Sequence, residues 1–169
     1  MIPELISSLN ECPEVSQIIL TQNIPEDISI DEKKNLTIIK NTSPKGYGEN
    51  HNNAFNISKN DYFCVLNPDI KILKNPFLNL TNFLKEKDVG LVSPMIVNLQ
   101  NIEEDNMRYF PTLYLHFKKL IGLSQGVFKS NSNEVYPDWV GGMFMLFKKS
   151  AFEIVNGFDE KFFLYYEDV

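Results

Sequence analysis

A chain of 169 residues that is 43% hydrophobic and 12% aromatic carries enough apolar side chain for one compact core rather than two. Its 22 acidic against 16 basic residues leave a formal charge of -6, and the basic residues are scattered singly or in pairs such as Lys33-Lys34 and Lys118-Lys119, so no nucleic-acid partner is expected. Cys12, Cys64, His51 and His116 are the only cysteines and histidines; they offer neither zinc-ligand spacing nor a disulfide framework, and buried reduced thiols are the expectation.

The opening Met1-Ile2-Pro3-Glu4 has no basic segment leading into an apolar one, so it does not read as a secretory signal and a cytoplasmic location is expected. Leu5, Ile6 and Leu9 recur at helical spacing and stop at Cys12-Pro13, after which Val15 to Leu20 reads as a strand. A polar connection, Pro25 to Lys34, leads to a second strand over Leu36 to Lys40. A loop with Pro44, Gly46 and Gly48 then enters a helix ending near Ser58. Tyr62 to Leu66 is a strand stopped by Asn67-Pro68-Asp69. A helix over Pro76 to Lys85, a strand over Val89 to Val97 and a mobile acidic loop at Gln100 to Asp105 follow. The run Trp139 to Phe147 is about half the length of a membrane-spanning helix and reads as a buried strand. Strands alternating with helices predict an α/β layered domain with a mostly parallel central sheet flanked by helices, whose ligands sit at the carboxyl ends of the strands.

Three constellations lie where that rule points. Asp61 to Asp69 is a buried strand that delivers a carboxylate in a proline-fixed turn, where one aspartate suffices for magnesium or manganese when phosphate oxygens and water fill the remaining coordination; the same turn equally serves to end a strand. Asn41 to Phe55 is a glycine-containing loop entering a helix, whose backbone amides can face a phosphate, although such loops are usually plain turns. The third is Asp138 to Phe147 followed by Gly157 to Val169, in which adjacent Glu167 and Asp168 follow a cluster of aromatics able to raise a carboxylate's pKa toward the range of a general base. Trp139 beside two glycines can offer a sugar ring a flat face, and is as readily a core residue.

Together these segments resemble family 2 glycosyltransferases, particularly rhamnosyltransferases of surface polysaccharide and O-antigen assembly. The resemblance rests on four motifs in the family's order: Gly46 to Phe55, Leu66 to Asp69, Asp138 to Leu146, and Gly157 to Asp168. It implies the nucleotide-binding GT-A fold and inverting transfer of a sugar from a nucleoside diphosphate donor to a saccharide or lipid-linked acceptor. It also implies a divalent cation, magnesium or manganese, on Asp69, with Asn67 in place of the first acid often found there. Asp168 matches the family's catalytic base and Glu167 its neighbour on the acceptor side. Gly46, Asn50 and Asn52 align with the donor-site loop, and Trp139, Gly141 and Gly142 with a segment near the acceptor.

Residues 1–70 then form the nucleotide-binding part of a single partial domain and 71–169 its metal and acceptor side. Measured against the family, the chain lacks the first, central strand and stops directly after Asp168, which leaves strand edges open to self-association. Thr21-Gln22-Asn23 stands where the family carries Asp-Asn. Peripheral association with the inner face of a membrane is a family-weighted expectation. The competing expectation is a non-catalytic relic or interaction module that keeps the GT-A shape.

Overall fold

The computed structural model describes residues 1–26, 35–104, 106–108, 110 and 134–164. In chain order its elements are α1 (Ile2–Asn10), β1 (Ile18–Gln22), β2 (Leu36–Lys40), α2 (Tyr47–Asn56), β3 (Tyr62–Leu66), α3 (Phe77–Glu86) and β4 (Leu91–Val92). Then come β5 (Met107–Arg108), β6 (Trp139–Val140), β7 (Phe144–Lys148) and α4 (Lys149–Ile154). They divide into two compact units. The larger holds the described residues of 1–94 and 142–164, the smaller those of 95–141.

In the larger unit, α1 carries Pro3 and Glu4 in its first turn and buries Ile6 and Leu9, the pattern of a helix with one apolar stripe. β1 and β2 pair in parallel, from Ile18 opposite Leu36 to Gln22 opposite Lys40. β1 begins later than the apolar run does, because Val15 is drawn into a turn by its amide bond to Cys12 O at 3.0 Å. The second sheet has the order β3-β7-β4.

That sheet departs from the mostly parallel arrangement expected, since β7 runs antiparallel to both β3 and β4. Every residue from Phe144 to Phe147 is buried. A strand without a polar face requires cover on both sides and a neighbour at each edge, so it takes the central position. Three further expectations also change at this point. The segment from Val89 to Val97 contributes only Leu91–Val92 as paired strand, with Pro94 unable to donate to a ladder. Val97 instead forms an isolated bridge with Glu103 in the smaller unit. Trp139 to Phe147 is two strands, broken at Gly141-Gly142-Met143, with β6 in the smaller unit and β7 in the larger. Finally, α4 was not anticipated as an element; it starts directly where β7 ends.

The core of the larger unit is aromatic. Phe152 of α4 lies 4.5 Å from Phe55, 4.9 Å from Phe147, 5.3 Å from Phe63 and 5.5 Å from Phe158, centroid to centroid, within the range of favourable aromatic pairing. Cys12 and Cys64 are both free thiols, and burial pushes each above its ordinary pKa. Among the described residues β1 pairs only with β2, and β3 only with β7. A cavity of about 390 Å³ is lined by residues of both these strands, including Ile18, Leu20, Tyr62 and Cys64, and by Leu5 and Leu9 of α1. No helix among the described residues is long and apolar enough to cross a membrane.

In the smaller unit, β5 and β6 form a short antiparallel pair, Met107 opposite Val140 and Arg108 opposite Trp139. The Arg108 guanidinium stands 5.5 Å from the centre of the Trp139 ring, close enough for a cation–π contact.

Candidate functional site

The carboxyl ends of β1 and β2 are tied together by asparagines. Asn41 N donates to Gln22 O at 3.1 Å, and Asn41 Nδ2 reaches both Asn23 Oδ1 at 2.9 Å and Asn50 Oδ1 at 2.7 Å. Asn23 also accepts from Lys45 N at 2.8 Å and donates to Lys45 O at 3.0 Å. A buried amide keeps its stability only when its polar atoms are paired, and this network pairs them while holding the loop from Asn41 to Gly46 against the sheet edge. Asn50, expected at the donor site, belongs to it: besides Asn41 it contacts Lys45 O at 3.3 Å. Asn23 and Asn41 were not among the expected site residues, although both stand where strand ends present side chains to ligands.

Gly46 then caps α2, and Glu49 in the first turn has the charge a helix N-terminus favours. Lys45 Nζ meets Glu49 Oε1 at 2.6 Å; with both side chains about a third exposed, at 34% and 33%, such a pair contributes little to stability. Gly46 is buried, and a Cβ there would stand 3.0 Å from Phe163 O and 3.1 Å from Phe163 Cα. That approach lets Tyr47 N donate to Phe163 O at 3.0 Å. One turn further on, Asn52 clasps the same C-terminal segment: it donates to Phe158 O at 2.9 Å and Glu160 Oε1 at 3.0 Å, and accepts from Phe158 N at 3.0 Å. Two motifs about a hundred residues apart are thereby joined along one helix.

The turn after β3 meets the same helix. Asn67 N donates to Met143 O at 3.0 Å. The Tyr47 hydroxyl lies 2.6 Å from Gly142 O and 3.3 Å from Asn67 Oδ1. Asp69 is exposed, and its carboxylate makes no hydrogen bond or ion pair with a described residue. No three His, Cys, Asp or Glu side chains gather into a metal cage among the described residues. A lone open carboxylate fits a hard cation that takes one or two protein oxygens and completes its shell with phosphate and water.

The larger unit therefore brings Gly46, Asn50, Asn52, Asn67 and Gly142 together around α2, while Asp69 follows Asn67 in the same turn with its side chain exposed. The rest of the expected acceptor segment is in the smaller unit, where Trp139 packs with Arg108 and Gly141 N donates to Asn106 O at 2.8 Å. Glu167 and Asp168 lie outside the described residues. Tyr47 and His51 are the neighbours that sequence reasoning passed over; both sit within the Gly46 to Phe55 motif, and their rings pack edge to face at 4.4 Å. Burial pushes the His51 imidazole down to a pKa of about 4, because the charged form loses its water.

No family profile matches the chain, and no solved structure matches it. Two curated proteins are similar to it. Rhamnosyltransferase WbbL of Escherichia coli (strain K12) is 25% identical over an alignment of 182 positions that covers 99% of this chain and 69% of that protein. The low-salt glycan biosynthesis hexosyltransferase Agl10 of Haloferax volcanii is 30% identical over 105 residues, 62% of this chain and 33% of that protein. Both relatives are sugar transferases by name, and the similarity supports a glycosyltransferase with a mixed α/β fold consistent with GT-A.

Proposed function

We propose that the chain carries the donor-binding part of an inverting family 2 glycosyltransferase. It moves a sugar, rhamnose or one like it, from a nucleoside diphosphate to a saccharide or lipid-linked acceptor in surface polysaccharide assembly, at the cytoplasmic face of a membrane. The observation that carries this reading is the convergence on α2 of three motifs from distant parts of the chain. Asn67 and Gly142 lie at the Tyr47 hydroxyl, and Phe158 and Phe163 are held by Asn52 and by Tyr47 N. A purely structural helix would not need its N-terminus, the strand-end turn that begins at Asn67 and a glycine turn assembled in one place.

In this mechanism the amide-tied loop before α2 presents the helix N-terminus to the donor's phosphates, and Asp69 would hold a magnesium or manganese ion. When bound, that ion supplies neutralisation of the charge that develops on the departing diphosphate. Asp168 is assigned as the base: its carboxylate takes the proton from the acceptor hydroxyl as that oxygen attacks the anomeric carbon and the bond to the diphosphate breaks. Glu167 and Trp139 are assigned to the acceptor side.

The test is calorimetric titration of the chain with deoxythymidine diphosphate, with and without manganese. Saturable binding that strengthens with manganese is expected, and Asp69→Asn should remove the manganese-dependent part. Unchanged binding by that variant would take Asp69 out of its role. The second reading, a non-catalytic module with the GT-A shape, is favoured by the cavity lined by β1 and β3, strands that share no ladder; a folded sample that binds no nucleotide supports it.

A further inference from the structure

The Tyr47 hydroxyl is the meeting point of the three segments that the transferase reading brings together, and its geometry goes beyond simple packing. The Tyr47 hydroxyl lies 2.6 Å from Gly142 O and 3.3 Å from Asn67 Oδ1, and as a donor it favours the shorter contact. The ring that carries the hydroxyl is held from the side by His51 at 4.4 Å and by Phe158 at 6.2 Å. A Cβ on Gly142 would lie 2.7 Å from that oxygen and 3.2 Å from the ring carbon bearing it, so the contact requires glycine at 142.

Asn67 opens the turn that ends in Asp69. Its backbone is already pinned at both groups, N to Met143 O at 3.0 Å and O to Ile70 N at 3.3 Å, so what remains to be set is the side of the turn that faces α2. We infer that Tyr47 is a positioning residue for donor binding: through Asn67 and Gly142 its hydroxyl sets the Asn67-Pro68-Asp69 turn so that the Asp69 carboxylate faces the diphosphate. This rests on the transferase reading. It assigns a specific task to a hydroxyl that phenylalanine would lack.

The experiment titrates the full chain and its Tyr47→Phe, Gly142→Ala and double variants with deoxythymidine diphosphate, with and without manganese, and follows thermal unfolding of each. Tyr47→Phe should stay folded, with a melting temperature within about 4 °C of the parent, and lose about tenfold in manganese-dependent affinity, the equivalent of one well-made hydrogen bond. Its affinity without manganese should be unchanged, which a merely structural tyrosine would not produce. Gly142→Ala should match that loss by displacing the hydroxyl, and should add little once Tyr47 is phenylalanine, because the 2.7 Å contact is then gone. Full manganese-dependent affinity in folded Tyr47→Phe overturns the inference while leaving the transferase reading intact. Loss of the fold in both single variants makes the hydroxyl structural and overturns it too. A folded parent that binds no nucleotide overturns the transferase reading, and the inference with it.

Discussion

Asn52 illustrates how a side chain chosen for one role is committed to another. Both of its N–H groups are used, on Phe158 O and Glu160 Oε1, and its oxygen accepts from Phe158 N, so it has no donor left for a nucleotide. Gly157, at φ +73°, sits against it: a Cβ at that position would collide with Asn52 Oδ1, and the left-handed backbone there already disfavours any other residue. Asn50 is less committed, with one N–H beyond its bond to Lys45 O. None of this is readable from residue type, because an asparagine in a glycine-rich loop pairs with whatever the fold brings to it. His51 carries a prediction at this scale. Its folded pKa of about 4 lies below the ordinary value near 6.5, so between those values the unfolded chain binds the proton that the folded chain refuses. Stability should therefore hold above about pH 6.5 and fall as the pH drops toward 4. Urea midpoints across that window should show the slope, and His51→Gln should flatten it; equal slopes in both proteins would remove His51 as the cause.

At the scale of elements, β2 and β3 are where local pattern sufficed: Leu36–Lys40 and Tyr62–Leu66 run from end to end as strands, each bounded by turn residues. The apolar run around Phe144 was legible as buried strand but not as the central one, nor as antiparallel to β3. Strand direction depends on the path the chain takes before returning, which no window of neighbouring residues encodes. The helix after it, α4, is short and polar on one side, with Phe152 as its only buried residue. That single ring meets four others, so Phe152→Ala should cost about 3–5 kcal/mol, a large share of the total stability of a domain this size. Urea denaturation checks it; a loss under about 1 kcal/mol would mean that the aromatic cluster closes over the gap.

At the largest scale, the described residues of the larger unit form two small sheets rather than one, and strands from both line the same cavity. Backbone groups along an unpaired strand edge invite pairing with another chain, so self-association is the expected behaviour of the isolated protein. Light scattering should show an apparent mass that rises with concentration, and Ile19→Lys, placing a charge in the cavity wall, should suppress the rise. A monomer at every concentration would remove the strand edges as sticky surfaces. The sequence by itself determined the helix–strand order of the first ninety residues and the four motifs that carry the sugar-transferase resemblance, since periodicity, proline and glycine act over a few residues. Only the tertiary structure decided which motif residues meet. Tyr47 and Gly142 are 95 positions apart, and Asn52 and Phe158 are 106. Contacts at such separations exist only after the aromatic core has closed, and the core depends on all of its rings at once.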